Sequence, residues 1–174
     1  MKPNAPALTL PQVAEFLRAT MATLRAEAGA LDNEGLRWHP APGEWCVNEV
    51  VGHIIEAEER GFAGQIRKII AERELQTWDQ EAVSRERKDC DRDGMALIDE
   101  LEEIREQSAE LVERLTPDQL RLSGQHPDVG ELRVIDLLHE WVHHDRAHVK
   151  QALSNVQARV WPHMGNAQRF SEIE

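Results

Sequence analysis

Near the C-terminal end of the chain, HEWVHHDRAHVKQ carries His139, His143, His144 and His148 within one short stretch. Read as a helix at about 100° per residue, its inward side is defined or bordered by Val134, Leu137, Trp141, Ala152 and Leu153 or Val156. His148 lies near the centre of that stripe and His144 on its flank, while His139 and His143 face roughly the opposite way. An i, i+4 pair stands one turn apart on one side of a helix, a reach that suits two imidazoles on a single transition metal at about 2.0–2.1 Å each. A third ligand must come from elsewhere. His53 stands at the edge of an earlier apolar stripe, with the small residues Ala57 and Gly61 beyond it at four-residue steps, so that a cavity beside it is expected. Three histidines and an open position are what a catalytic ion requires. The same spacing also suits histidines that are merely hydrogen-bonded structure, and spacing alone leaves both readings open.

These residues need a scaffold. The chain has 174 residues, 41% hydrophobic and 30% charged, which fits one compact domain over 1–174. Helical spacing of apolar residues is widespread and strand-like alternation is absent. A first helix is predicted from about Leu10 to Ala30, opened by a Thr9/Gln12 capping box with Pro11 in the first turn. A connector, LRWHPAPGEW, is barred from helix by Pro40, Pro42 and Gly43. The second helix is read from about Val47 to Glu74, with Cys46 at a weak N-cap and Val50, Ile54, Ala57, Gly61 and Gln65 inward. Gln76 to Gly94 reads as a long polar crossover, either loop or frayed helix end, and a lid reading is the less favoured one. A third helix spans about Met95 to Leu115, and an irregular stretch leads to a fourth, about Leu132 to Gln157. Four amphipathic stripes can be buried only against one another, so the fold class is all-α, a four-helix bundle.

Composition narrows the partners. Net charge is −12, which opposes nucleic-acid binding, and the basic cluster Arg85, Arg87 and Lys88 is interleaved with Glu86 and Asp89 as a solvated loop. No apolar run approaches the roughly 20 residues of a membrane span. No signal peptide is visible at MKPNAPALTLPQ, and two cysteines make no disulfide framework, so a cytoplasmic location is expected. A di-iron bundle is disfavoured: it needs Glu-x-x-His on two helices, and Glu140-x-x-His143 faces outward while Glu49-x-x-x-His53 has the wrong spacing.

The segment WHPAPGEWCVNEVVGH, Trp38 to His53, resembles the W-x-P-x-x-x-x-W-S…H element of the DinB/YfiT-like superfamily, and HDRAHVKQ, His144 to Gln151, resembles its late H-x-x-x-H-x-x-Q element. The resemblance extends over nearly the whole chain. It implies a four-helix bundle holding nickel or zinc on His53, His144 and His148, commonly as a homodimer. It also implies thiol S-transferase chemistry with a low-molecular-weight thiol; a non-enzymatic metal-binding or stress-response scaffold is the competing reading. Cys46 departs from the family's Ser, and is read as a change of cap.

Three neutral imidazoles leave an ion its full charge, able to acidify a bound thiol or water; the water would suit a hydrolase acting on a small-molecule substrate. Glu56, Glu140 and Asp145 are candidates to hold the other ring nitrogens. Trp45, Ala57 and Trp141 are candidates to line the pocket. The tail after Trp161 is read as a cap on the bundle or a contact with a partner.

Overall fold

Short polar side chains set where the helices begin. The computed structural model describes residues 6–72 and 74–171. Thr9 and Gln12 form the expected reciprocal cap of α1, Leu10–Gly29, and Asp32 caps the short α2, Asn33–Arg37, with its carboxylate on the Gly35 N–H at 2.8 Å. The second bundle helix is not continuous, as the sequence had suggested. It is α3, Val47–Glu56, then a π-helical turn, Ala57–Phe62, then α4, Ala63–Ile70. The extra residue in the π turn breaks the four-residue rhythm, so Glu58 and Phe62 are buried and Gly61 is only half-buried. Gly64 makes the wide turn tolerable: a Cβ there would stand 2.0 Å from the Glu59 carbonyl oxygen.

The polar crossover is also more ordered than its composition suggests. It forms α5, Gln80–Arg87, with Asp79 as N-cap, and a 3₁₀ turn, Asp89–Asp91. Arg87 is not a solvated loop cation. It reaches Glu56 at 3.1 Å, Asp89 at 2.8 Å and Glu100 at 3.3 Å, which fastens α5 to the bundle. The third helix, α6, is Gly94–Glu113, capped by Asp93. The stretch expected to be irregular contains a hairpin, β1 Ser123–His126 against β2 Gly130–Arg133, antiparallel with Ser123 opposite Arg133. The fourth helix, α7, runs Val134–Val160. The tail after Trp161 folds into two 3₁₀ turns and α8, Gln168–Ser171, with Phe170 exposed.

The helix α1 packs on α6 and α7, and α3 packs on the same two. The first two bundle helices therefore occupy opposite corners, and α3 lies beside α7. The core falls into two apolar clusters. One gathers Leu17, Ile66, Val112 and Leu138; the other gathers Leu24, Ile54, Leu101 and Val149. Between them lies a charged group. Arg105 on α6 contacts Glu58 of the π turn at 2.9 Å and Asp145 of α7 at 2.8 Å, with all three side chains at most 1% exposed. Its guanidinium also stands over the Trp141 ring, 5.9 Å from the centroid. Burial pushes the Glu58 carboxyl up to about 7 against the lowering pull of Arg105. The carboxyl thus shares a proton near neutrality, which keeps the group close to electrically balanced.

Breaking such a group by removing one partner strands the other charges, at a cost of about 3–5 kcal/mol. Arg105→Ala is expected to lower unfolding free energy by that amount in urea titrations. Arg18→Ala, which removes exposed pairs with Glu106 and Glu113, should cost about 1 kcal/mol or less.

Candidate metal centre

Because α3 and α7 are neighbours, their histidines can meet. His53, His144 and His148 each offer a ring nitrogen, and these atoms lie within 4.8 Å of one another. His53 Nε2 and His144 Nε2 stand 3.0 Å apart. The ring centroids are separated by 5.1 Å (His53–His144), 4.5 Å (His53–His148) and 4.4 Å (His144–His148). Two imidazole nitrogens each about 2.0–2.1 Å from one ion stand roughly 3 Å apart, so the arrangement fits a shared cation.

The tautomer of His148 suits ligation. His148 Nδ1 lies 2.9 Å from Gln151 Oε1. An amide oxygen only accepts, so the proton is on Nδ1 and Nε2 is left with its lone pair. His144 Nδ1 is buried with no hydrogen-bond partner. Burial first, then the neighbouring imidazoles, hold His53 down to about 4 and His144 to about 3, from an ordinary 6.5. Both are therefore neutral near pH 7, the form that ligates.

Aromatic rings wall the cluster. Trp45 lies 5.0 Å from His53 and stacks on His148 at 6.2 Å, and Phe62 meets His144 at 5.1 Å. Trp141 is fully buried behind Phe62, stacked at 5.3 Å, and belongs to the core. A cavity of about 220 Å³ opens against His144, bounded by Ala57, Gly61 and Phe62 on the bundle side and by Trp78, Gln80 and His126 from the crossover and hairpin.

None of the three carboxylates proposed to hold the imidazoles touches a ring nitrogen of the cluster among the contacts of the described residues. Glu56 binds Arg87 and Arg60, and Asp145 binds Arg105. Glu140 borders the cavity and is largely exposed beside His143. The residue that does the orienting is Gln151, the last position of the H-x-x-x-H-x-x-Q element, whose three-residue step from His148 was the available signal. His139 is not a free outward group: it accepts the Leu8 N–H at 3.1 Å and lies 2.8 Å from the Ile135 carbonyl through Nδ1.

The bundle places its first two helices on opposite corners and gathers three histidines between α3 and α7. Residues 15–152 match the model of the DinB superfamily, and the chain belongs to that superfamily. Its fold is similar to YfiT from Bacillus subtilis, described as a probable metal-dependent hydrolase with an unusual four-helix bundle topology. The TM-score is 0.80 at 19% identity, over 92% of this chain and 94% of that one. It is also similar to a mycothiol-dependent maleylpyruvate isomerase (TM-score 0.68, 11% identity), over 83% of this chain but 61% of the isomerase. TT2238, a four-helix bundle protein, matches with a TM-score of 0.57 at 20% identity, over 84% of this chain and 99% of that one. No curated protein matches the chain in sequence. No helix among the described residues is long and apolar enough to cross a membrane.

Two outcomes are expected. Gln151→Leu should weaken divalent-metal binding by about 10–100-fold, read by competition with a chromophoric chelator. In chelator-treated protein, the unfolded chain takes up protons on His53 and His144 below pH 6.5 that the folded chain refuses until about pH 4 or 3. Stability should therefore fall as pH drops through that window. The fall should be shallower in His144→Ala/His148→Ala, where Glu58 titrates as in the parent; melting curves from pH 7 to 4.5 measure it.

Proposed function

We propose that the chain is a divalent-metal-dependent enzyme that holds nickel or zinc on His53, His144 and His148. Its reaction is transfer of a low-molecular-weight thiol to a small electrophile. The observation that carries this reading is the convergence of three imidazoles, of which His144 lines a cavity large enough for a small molecule. A divalent ion held by these histidines would supply Lewis acidity, lowering the pKa of a thiol or water beside it.

The residues around the site divide the remaining work. Gln151 keeps the His148 lone pair on Nε2. Phe62 and Trp45 pack against the imidazoles and keep water from their faces. Ala57, Phe62, Leu132 and Leu137 give the cavity an apolar wall for the electrophile. A thiol, with an ordinary pKa near 8.5, would need a far smaller shift from a held ion than water at about 15.7, and its proton would go to solvent; this favours thiol over water as nucleophile. Hydrolysis is the second reading, supported by the presence of Glu140 in the cavity wall, where a carboxylate can take a proton from water, and by the likeness to YfiT. A cytoplasmic location and a homodimer complete the proposal, together with a single domain over 1–174.

The test begins with metal content by plasma mass spectrometry. Metal bound by parent protein whose second, unrelated sites have been accounted for should fall by about one equivalent in folded His144→Ala/His148→Ala. Thiol consumption with a panel of electrophiles should be abolished in the same variant. Glu140→Gln should leave thiol transfer within about twofold if thiol is the nucleophile. Loss of an ester or amide hydrolysis activity in that variant, with no thiol consumption in the parent, would reverse the choice. A parent that takes up no ion at these histidines would remove the proposal altogether.

A further inference from the structure

A second group of ligating side chains lies at the other end of the first turns of α3. His39 of the connector, Cys46 at the N-cap of α3, Glu49 in its first turn and Cys90 in the 3₁₀ turn each present one donor atom, and these four atoms lie within 4.8 Å of one another. We propose that they form a second metal site, a closed, structural one for zinc, with two thiolates, one imidazole and one carboxylate. The proposal does not rest on the three-histidine reading.

The contacts around the donors are compatible with ligation; Cys90 Sγ lies 3.5 Å from the Arg37 carbonyl oxygen, a contact its thiol would give up on losing its proton. His39 Nδ1 is 2.7 Å from the Glu44 carbonyl oxygen. A carbonyl only accepts, so the proton sits on Nδ1, and the bare Nε2 faces Cys90 Sγ at 3.3 Å. Imidazole ligands of zinc are held in this way, by a carbonyl on the far nitrogen. Glu49 Oε2 accepts the Cys46 N–H at 2.8 Å, which fixes the carboxylate and leaves Oε1 available. Cys46 is fully buried and Cys90 half-buried, so neither is a casual surface thiol. Two soft sulfurs with nitrogen and oxygen select zinc over magnesium or calcium, and four protein ligands leave no open position, the mark of a structural ion.

The chain is built to bring the fourth donor in. At Gly52, one turn along α3, a Cβ would stand 1.9 Å from the Asp89 carboxylate, so only glycine lets the 3₁₀ turn approach. Asp89 is then held by Arg87 at 2.8 Å and by Arg92 at 3.2 Å, and its neighbour Cys90 is delivered to Cys46. A disulfide between the two cysteines is the competing occupant of this space. It would leave the positioned His39 Nε2 without a role and Glu49 with its cap alone, whereas one ion uses all four donors. On binding, each thiol gives its proton to solvent, so two protons are released while Nδ1–H stays on His39.

Such an ion would tie the connector, the start of α3 and the end of the crossover into one unit. Trp45, next to Cys46, forms a wall of the three-histidine cluster, and Glu49 precedes His53 by one turn. The second site therefore sets the position of a wall of the first.

The test uses the full chain, purified under reductant, in the His144→Ala/His148→Ala background so that the first site is silent. About one equivalent of zinc should remain. Replacement by cobalt(II) should give a near-ultraviolet thiolate-to-metal charge-transfer band, which nitrogen and oxygen ligands do not produce. Both cysteines should resist alkylation until a chelator is added. Cys46→Ser, which keeps a good N-cap and hence the fold, should lose the bound zinc and the band, and His39→Ala should weaken zinc binding at least tenfold. Equal alkylation with and without zinc would overturn the proposal. So would a folded Cys46→Ser that keeps its zinc. A reduced-purified chain whose mass is two hydrogens short would overturn it in favour of the disulfide.

Discussion

Arg105 carries its charge at 1% exposure, where solvation by water is lost and only the Glu58 and Asp145 carboxylates replace it. Removing a guanidinium from water costs several kcal/mol, and the cost is met only if both carboxylates stay within hydrogen-bond reach. That condition fixes how two helices are rotated about their axes. With Asp145 turned to α6, its neighbour His144 is carried about 100° around α7 toward α3, and His148 lies one turn further along the same side. With Glu58 turned to the same guanidinium, the helix that carries His53 is fixed as well. The two apolar clusters above and below supply most of the burial, but being non-directional they would tolerate other rotations. The charged group at mid-bundle does not.

The π turn belongs to the same arrangement. An uninterrupted α-helix from Val47 would carry the side chains after His53 on in four-residue steps. The added residue moves Glu58 inward to Arg105 and Phe62 inward to Trp141 and His144. Wide turns of this type are rare and concentrate at functional sites. Here the turn adjoins both the histidine cluster and the cavity.

The four bundle helices were legible because each carries an apolar stripe at helical spacing, and the Thr9–Gln12 cap was legible because its residues are local. What escaped was non-local or out of period. The π turn shifts the pattern by one residue, and Gly64 was its one clue. The helix α5 has no apolar face, so periodicity could not reveal it, and its anchorage lies in Arg87 pairs that span up to 31 residues. The hairpin is four residues a side, too short for alternation to register. Around the histidines, the wheel selected His53, His144 and His148, and the structure brings their nitrogens together. Gln151 is uncharged, and Asp145 is engaged by an arginine 40 residues earlier in the chain. The grouping of His39 with Cys90 spans 51 positions and has no periodic trace.

The cavity against His144 has walls of two different origins. Ala57, Gly61 and Phe62 belong to the bundle and cannot change without disturbing the histidines or the core behind them. Trp78 and Gln80 come from the crossover, and His126 and Leu132 from the hairpin, segments that pack on the bundle from outside it. Connecting segments accept substitution and insertion far more readily than helices do. Substitutions that alter what enters the cavity are therefore tolerated better on its crossover and hairpin side than on its bundle side. The histidine side of the cavity is built from bundle helices, while the opposite side is built from two connecting segments.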